Sequence, residues 1–77
     1  MYNHMTYADV AVLLSLGFKM GIASYIYWGT ANDGSEWQAI DDGRWLMFAK
    51  RRKDGGLSTY ERMSNEQFSE LFRCTLA

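Results

Sequence analysis

The stretch from Asp33 to Gly56, DGSEWQAIDDGRWLMFAKRRKDGG, contains the dipeptide Asp-Gly three times. Asp-Gly favours the positive backbone angles of tight hairpin turns, whereas the aromatic and branched residues between the copies favour strands. The spacing therefore predicts an antiparallel meander of four strands. They are placed near Ile22 to Thr30, Ser35 to Ile40, Arg44 to Arg52 and Leu57 to Arg62.

A helix-start signal lies on each side of this region. Thr6 followed by Asp9 forms a capping box, and Gly17 offers a left-handed residue that ends the helix near Leu16. The segment from Ser64 to Gln67 is a second capping box. The pattern predicts an α+β fold of the order αββββα in a single domain over residues 1–77. Four strands at about 4.8 Å spacing are as wide as two helices, so both helices are expected on one face of the sheet.

The register of the strands can be derived if each Asp-Gly is the centre of a two-residue turn, because paired residues share a face. This register predicts a core face that consists of Ile22, Ile26, Trp28, Trp37, Ala39, Leu46, Phe48 and Leu57. The opposite face then carries Tyr25, Tyr27, Gln38, Ile40, Trp45, Met47, Ala49 and Tyr60. A three-residue loop with a bulge at Asp54-Gly55-Gly56 would shift the last strand by one residue, which affects the position of Tyr60.

Composition limits the classes of function. The 77 residues include 8 Lys and Arg and 9 Asp and Glu, which argues against a nucleic-acid binder driven by overall charge. Half of the basic charge lies in the run Lys50, Arg51, Arg52 and Lys53. A single cysteine, Cys74, indicates a reducing cytosol. The sequence shows no leader and no apolar run of membrane-spanning length, so a cytoplasmic protein is expected.

Candidate catalytic and metal sites are poorly supported by the sequence. His4 is the only histidine and is expected in a loose N-terminal segment, which leaves Cys74 and the serines without a general base. One His and one Cys do not make a zinc site, and neither phosphate-loop glycine motif is present. We therefore expect no enzyme activity, no metal and no cofactor.

The uncovered aromatic face and the basic hairpin together form the candidate binding site. Tyr, Trp, Met and Arg are the residue types that contribute most energy to protein interfaces. The leading hypothesis is a non-catalytic protein that occupies a surface of a larger host protein or complex. The alternatives are nucleic-acid or nucleotide binding, with the basic run as phosphate contacts, and a structural homodimer. The candidate contact residues are Tyr25, Tyr27, Trp45, Met47, Tyr60, Lys50, Arg51, Arg52 and Lys53.

The opening of the chain, Met5-Thr6-Tyr7-Ala8-Asp9 through Gly17-Phe18-Lys19-Met20, resembles that of phage anti-defence sponge proteins, which sequester signalling nucleotides. Those proteins usually have an Arg and a Trp soon after the glycine, where this chain has Ile22 to Tyr25, so no ligand residue is carried over. As a short, cysteine-poor α+β chain, it is also similar in type to phage-encoded inhibitors such as anti-CRISPR proteins. The resemblance implies a phage-encoded, anti-defence inhibitor.

Overall fold

The structure is a computed structural model that describes residues 4–72. A 3-10 turn, Tyr7–Asp9, leads into helix α1, Val10–Ser15, and helix α2, Asn65–Phe72, follows the sheet. The strands are β1, Lys19–Met20; β2, Ile26–Thr30; β3, Glu36–Asp41; β4, Leu46–Lys50; and β5, Glu61–Arg62. They form one antiparallel sheet in the order β1-β2-β3-β4-β5. The α+β prediction is confirmed, but the sheet has five strands and not four. Cys74 lies outside the described residues.

The extra strand arises because Lys19 and Met20, which precede the predicted first strand, form a hairpin with the second half of that strand. Lys19 pairs with Trp28 and Met20 with Tyr27, and the Gly21 N–H donates to the Ile26 carbonyl at 2.7 Å. The intervening residues form the loop, and its first residue, Ile22, is fully exposed. The prediction that Ile22 belongs to the core was therefore wrong.

Both helices begin where the capping signals predict. The Asp9 carboxylate accepts a hydrogen bond from the Thr6 N–H at 2.8 Å, and Gly17 ends the first helical segment with a φ of 94°. At the second helix, the Ser64 hydroxyl accepts a hydrogen bond from the Gln67 N–H at 3.0 Å. These side chains satisfy backbone donors that a helix start otherwise leaves without partners.

The two helices contribute to one hydrophobic core on a single side of the sheet. Leu13 of α1 and Phe68 of α2 are both fully buried in a cluster with Ala39 and Phe48 of the strands. The Phe68 ring lies 5.7 Å from that of Phe48. The prediction that both helices pack on one face is consistent with this shared core.

The segment His4 to Thr6 lies between the start of β4 and the residues that follow β5. Met5, which is fully buried, donates its N–H to the Met63 carbonyl at 2.8 Å and accepts from the Leu46 N–H at 3.1 Å. His4 bridges to Ser64 on one side of it. The expectation of a loose segment at His4 was therefore wrong, because backbone pairing holds it on both sides.

The register of β2 differs from the predicted one by a single residue. Ala31 pairs with Ser35 by a hydrogen bond of 2.8 Å, so Asp33-Gly34 belongs to a three-residue loop, with Gly34 at a φ of 88°. Asp33 stabilises this loop by accepting hydrogen bonds from the backbone and side chain of Ser35. The additional loop residue moves every side chain of β2 to the other face.

Four predicted placements, on β2 and on the residue before it, are therefore reversed. Tyr27 pairs with Ala39 and is buried in the core, and Tyr25, opposite Asp41, lies on the same side. Ile26 and Trp28 pair with Ile40 and Gln38 on the opposite face, where the sequence had placed the tyrosines. The list of corrected residues is Tyr25, Tyr27, Ile26 and Trp28.

The other two hairpins confirm most of the predicted faces. Asp41 pairs with Leu46 around a four-residue loop, which is longer than expected by two residues and so keeps the faces of β3 and β4. At the third hairpin, the backbone N–H of Arg52 donates to the Gly56 carbonyl, so the loop has three residues, which is the alternative considered from the sequence. Leu57 consequently bridges to Arg51 and lies on the face opposite the core, not within it.

Candidate interaction surface

The side of the sheet opposite the core, here called the open face, carries a mixed aromatic and cationic surface. The helix residues that enter the core all lie on the other side of the sheet, which is called the helix side. The strand register places the following residues on the open face: Lys19, Ile26, Trp28, Glu36, Gln38, Ile40, Trp45, Met47, Ala49, Arg51 and Arg62.

One half of the open face is organised around Trp28. The Arg51 guanidinium carbon lies 4.7 Å from the centre of its ring. The same guanidinium donates to Glu36 Oε1 at 2.5 Å and to the Gly55 carbonyl at 2.8 Å. These bonds fix the arginine above the tryptophan, so the ring is covered by a positioned cation.

The other half is organised around Trp45 in a similar way. The Arg62 guanidinium carbon lies 4.8 Å from the centre of the Trp45 ring. His4 contacts the same ring edge-on, with centroids 6.0 Å apart and an interplanar angle of 87°. The open face therefore contains two tryptophans that each carry an arginine.

A buried amide separates the two tryptophan sites. Gln38 is only 7% exposed, and its Oε1 accepts a hydrogen bond from the Tyr60 hydroxyl, which reaches across from the segment before β5. The neighbouring Ala49 is fully buried although it lies on the open face. Tyr60 therefore packs over the middle of the sheet and is also part of the open face.

Two of the four cations of the basic hairpin are paired with carboxylates of the same chain. Arg51 pairs with Glu36, and Arg52 approaches Asp54 at 3.3 Å. The charge of Lys50 helps to lower the pKa of Asp33, after the larger effect of the hydrogen bonds from Ser35. Lys50, opposite Trp37, lies on the helix side of the sheet, and Lys53 lies in the turn. The four cations therefore do not converge on one site.

The groove beside Trp45 extends the open face at its edge. It has a volume of about 550 Å³ and is lined by Thr6, Tyr7, Ala8, Arg44 and Trp45. Its size is within the range of ligand sites, although the groove is shallow and open. Arg44 adds a second guanidinium near Trp45, beside that of Arg62.

The structure brings together part of the predicted binding set. Trp45, Met47 and Tyr60 accompany Arg51 on the open face as expected, whereas Tyr25 and Tyr27 are on the helix side. Trp28 and Arg62 are the main residues that the sequence reasoning missed. The position of Arg62 could have been predicted from the sequence, because alternation from Tyr60 puts both residues on one face. The position of Trp28 could not, because its face depends on the length of the loop after β2.

The titratable groups with shifted pKa values are turn residues. Hydrogen bonds from the backbone of Trp45 and Arg44 lower the pKa of Asp42 below its ordinary 3.8, and the positive charges of Arg44 and Arg62 add to the effect.

Within residues 4–72 no group of three or more His, Cys, Asp or Glu side chains is placed to hold a metal ion. No helix in this part of the chain is long and apolar enough to cross a bilayer.

Comparison of the chain with protein-family models, with curated proteins and with solved structures finds no match.

Proposed function

We propose that this chain is a non-catalytic binding protein whose open face engages an acidic, partly apolar surface of a larger protein. The observation that carries the proposal is the pair of arginine-covered tryptophans, Arg51 on Trp28 and Arg62 on Trp45. Trp and Arg are the residue types most enriched where interfaces carry their energy.

The charge of the open face supports an acidic partner. Its strands carry the cations Lys19, Arg51 and Arg62 but only one carboxylate, Glu36, which is paired with Arg51. The chain as a whole has a formal net charge of −1, so this excess of positive charge is local to the face. A carboxylate of the partner that approaches Arg62 gains a charge-assisted hydrogen bond, while an apolar side chain packs on the indole edge.

The pKa shifts favour a structural role for the carboxylates rather than a catalytic one. Asp33 and Asp42 are both exposed residues in hairpin turns, and hydrogen bonds within those turns account for their lowered pKa values. Catalytic groups are typically shifted by burial and by charge partners in a cleft. A phage origin and an inhibitory role stay predictions from the sequence.

Nucleic-acid binding is the second candidate, because grooves for single strands combine aromatic rings with arginines. The partial neutralisation of the hairpin argues against it. Two of the four cations that were to contact phosphates, Arg51 and Arg52, already have carboxylate partners. A protein partner is therefore the better-supported proposal.

A displayed library of random peptides, selected on the wild-type protein, tests the proposal. We expect enriched peptides that combine Asp or Glu with apolar residues, and we expect Arg62→Glu to weaken their binding at least tenfold. Lys53→Glu is the matched control, because it makes the same charge change at an exposed turn position. Equal losses for both variants, or selection of peptides without acidic residues, would contradict the proposal.

The same variants separate the two candidates when labelled oligonucleotides replace the peptides. A phosphate-dominated contact weakens steeply as salt rises. Tight, salt-sensitive binding of oligonucleotides by the wild-type protein that Arg62→Glu abolishes would favour the nucleic-acid candidate.

A further inference from the structure

A second exposed apolar region lies at the β1 edge of the sheet. Between Val10 and Tyr27 the sequence contains a single charged residue, Lys19. Five large apolar residues of this segment are exposed by between 38% and 108% of their full surface, while Leu13 and Phe18 are buried in the core. The edge patch, as we name it, consists of Leu14, Leu16, Met20, Ile22 and Tyr25.

These residues follow the β1 edge of the sheet, from the end of α1 to the loop after β1. Met20 pairs with Tyr27, so both point to the helix side of the sheet, and Tyr25 precedes Tyr27 by two residues. Ile22 is the first loop residue of the same hairpin. Leu14 and Leu16 lie at the end of α1, just before the turn into β1. Clusters of exposed apolar side chains of this kind mark interaction sites.

The backbone of β1 also has a free side. The Gly21 N–H bonds to the Ile26 carbonyl, and hydrogen-bonded pairs alternate along an antiparallel ladder. Met20 therefore directs its N–H and C=O away from β2, at the outer edge of the sheet. Such an edge is a template for pairing with another strand.

We infer that the edge patch is an interface between two copies of this chain, related by a two-fold axis beside Met20. In such an interface the same surface meets itself, so like charges would repel each other. The edge patch avoids this repulsion because Lys19 is the only charge in its segment. Antiparallel pairing of β1 with its copy would join two five-stranded sheets into one.

The area of the patch is sufficient for a weak dimer. Taking about 200 Å² for a large, fully exposed side chain, the five residues offer about 600 Å² per copy. Two copies would then bury about 1,200 Å², the lower limit for a stable interface. We therefore expect association at micromolar rather than nanomolar concentration.

Sedimentation equilibrium of the full chain, from about 1 to 500 μM, tests the inference. We expect a monomer at the lower end and a dimer at the upper end. Ile22→Asp should raise the protein concentration at the midpoint of the monomer–dimer transition at least tenfold, because the dimer would bury the new carboxylate against that of the other copy. Ile22 is in an exposed loop, so circular dichroism should show an unchanged fold.

Tyr7→Asp is the matched control, because it places the same charge on an exposed aromatic residue outside the edge patch. A monomer over the whole range would overturn the inference, as would equal effects of the two substitutions. A dimer that dissociates with Trp28→Ser but not with Ile22→Asp would assign the interface to the open face. If the protein stays monomeric and floats together with phosphatidylcholine vesicles in a density gradient, the edge patch binds lipid and the inferred dimer is wrong.

The inference does not depend on the proposed function. Arg62→Glu acts on the open face and Ile22→Asp on the edge patch, so each measurement can fail without affecting the other.

Discussion

Substitution of Gly29 by alanine tests the register on which both surfaces depend. Gly29 lies on β2 and faces the helix side, where a Cβ atom would lie 2.5 Å from three atoms of the Phe18 ring. Phe18 cannot readily move, because it is 4% exposed and its ring centre lies 5.2 Å from that of Phe72. Under the register predicted from sequence, the same position would face away from the core and would accept alanine.

The expected loss of stability follows from two opposing effects. Overpacking of a core costs about 1–3 kcal/mol, whereas replacing a strand glycine that has an ordinary backbone conformation stabilises by about 0.5–1 kcal/mol. Taking the middle of each range, the net loss is about 1 kcal/mol. For a domain of this size it should lower the Tm by about 4–8 °C.

Thermal and urea unfolding of Gly29→Ala and of a control measure this loss. Gly56→Ala is the control, because its new Cβ would approach only the ends of two exposed side chains, the Arg52 guanidinium at 2.6 Å and the Asp54 carboxylate at 3.3 Å. In a double-mutant cycle, Phe18→Leu should reduce the cost of Gly29→Ala by making room for the methyl group. A Gly29→Ala variant as stable as Gly56→Ala would refute the register.

Three further substitutions test the core, the open face and a turn. Phe68→Ala should cost about 3–5 kcal/mol and leave the chain largely unfolded at 37 °C by circular dichroism, because Phe68 is fully buried against three other rings. Tyr60→Phe should cost about 1–3 kcal/mol in urea unfolding, because the buried Gln38 loses its donor; an unchanged midpoint would contradict the hydrogen bond. The folded-state pKa of Asp42 lies below its unfolded value of 3.8, so its stabilisation is complete above that pH and is lost as the pH falls through the folded pKa. Melting curves of wild type and Asp42→Asn should therefore differ at neutral pH and converge in acid; a constant difference would contradict the turn hydrogen bonds.

The sequence was a reliable guide where the signal was local. Capping residues determine helix starts through contacts within one turn, and the structure has both Thr6 with Asp9 and Ser64 with Gln67 in these roles. The faces of β3 and β4 were also predictable, because an error of two residues in loop length leaves alternation unchanged. The positions of Trp45 and Met47 in the candidate site follow from this.

The sequence was a poor guide where one residue of loop length changes the result. Asp33-Gly34 fits a two-residue turn and a three-residue loop equally well, and the choice decides whether Trp28 or Tyr27 is in the core. The hydrogen bond between Ala31 and Ser35 closes the longer loop. The longer loop turns Gly29 toward the core, where Phe18 packs over it, and this contact joins residues that are distant in the chain.

The amino-acid sequence by itself determined the α+β class, the helix starts and the existence of hairpins, because caps and turns are local interactions. Tertiary packing alone decided which ring of β2 is buried and which is paired with an arginine. It also ordered His4 to Thr6 between two strands, through backbone pairing with Leu46 and Met63 that no residue type signals. Strand register is a property of the whole sheet, since each face must fit the helices packed on it, and so it cannot be derived from any one turn.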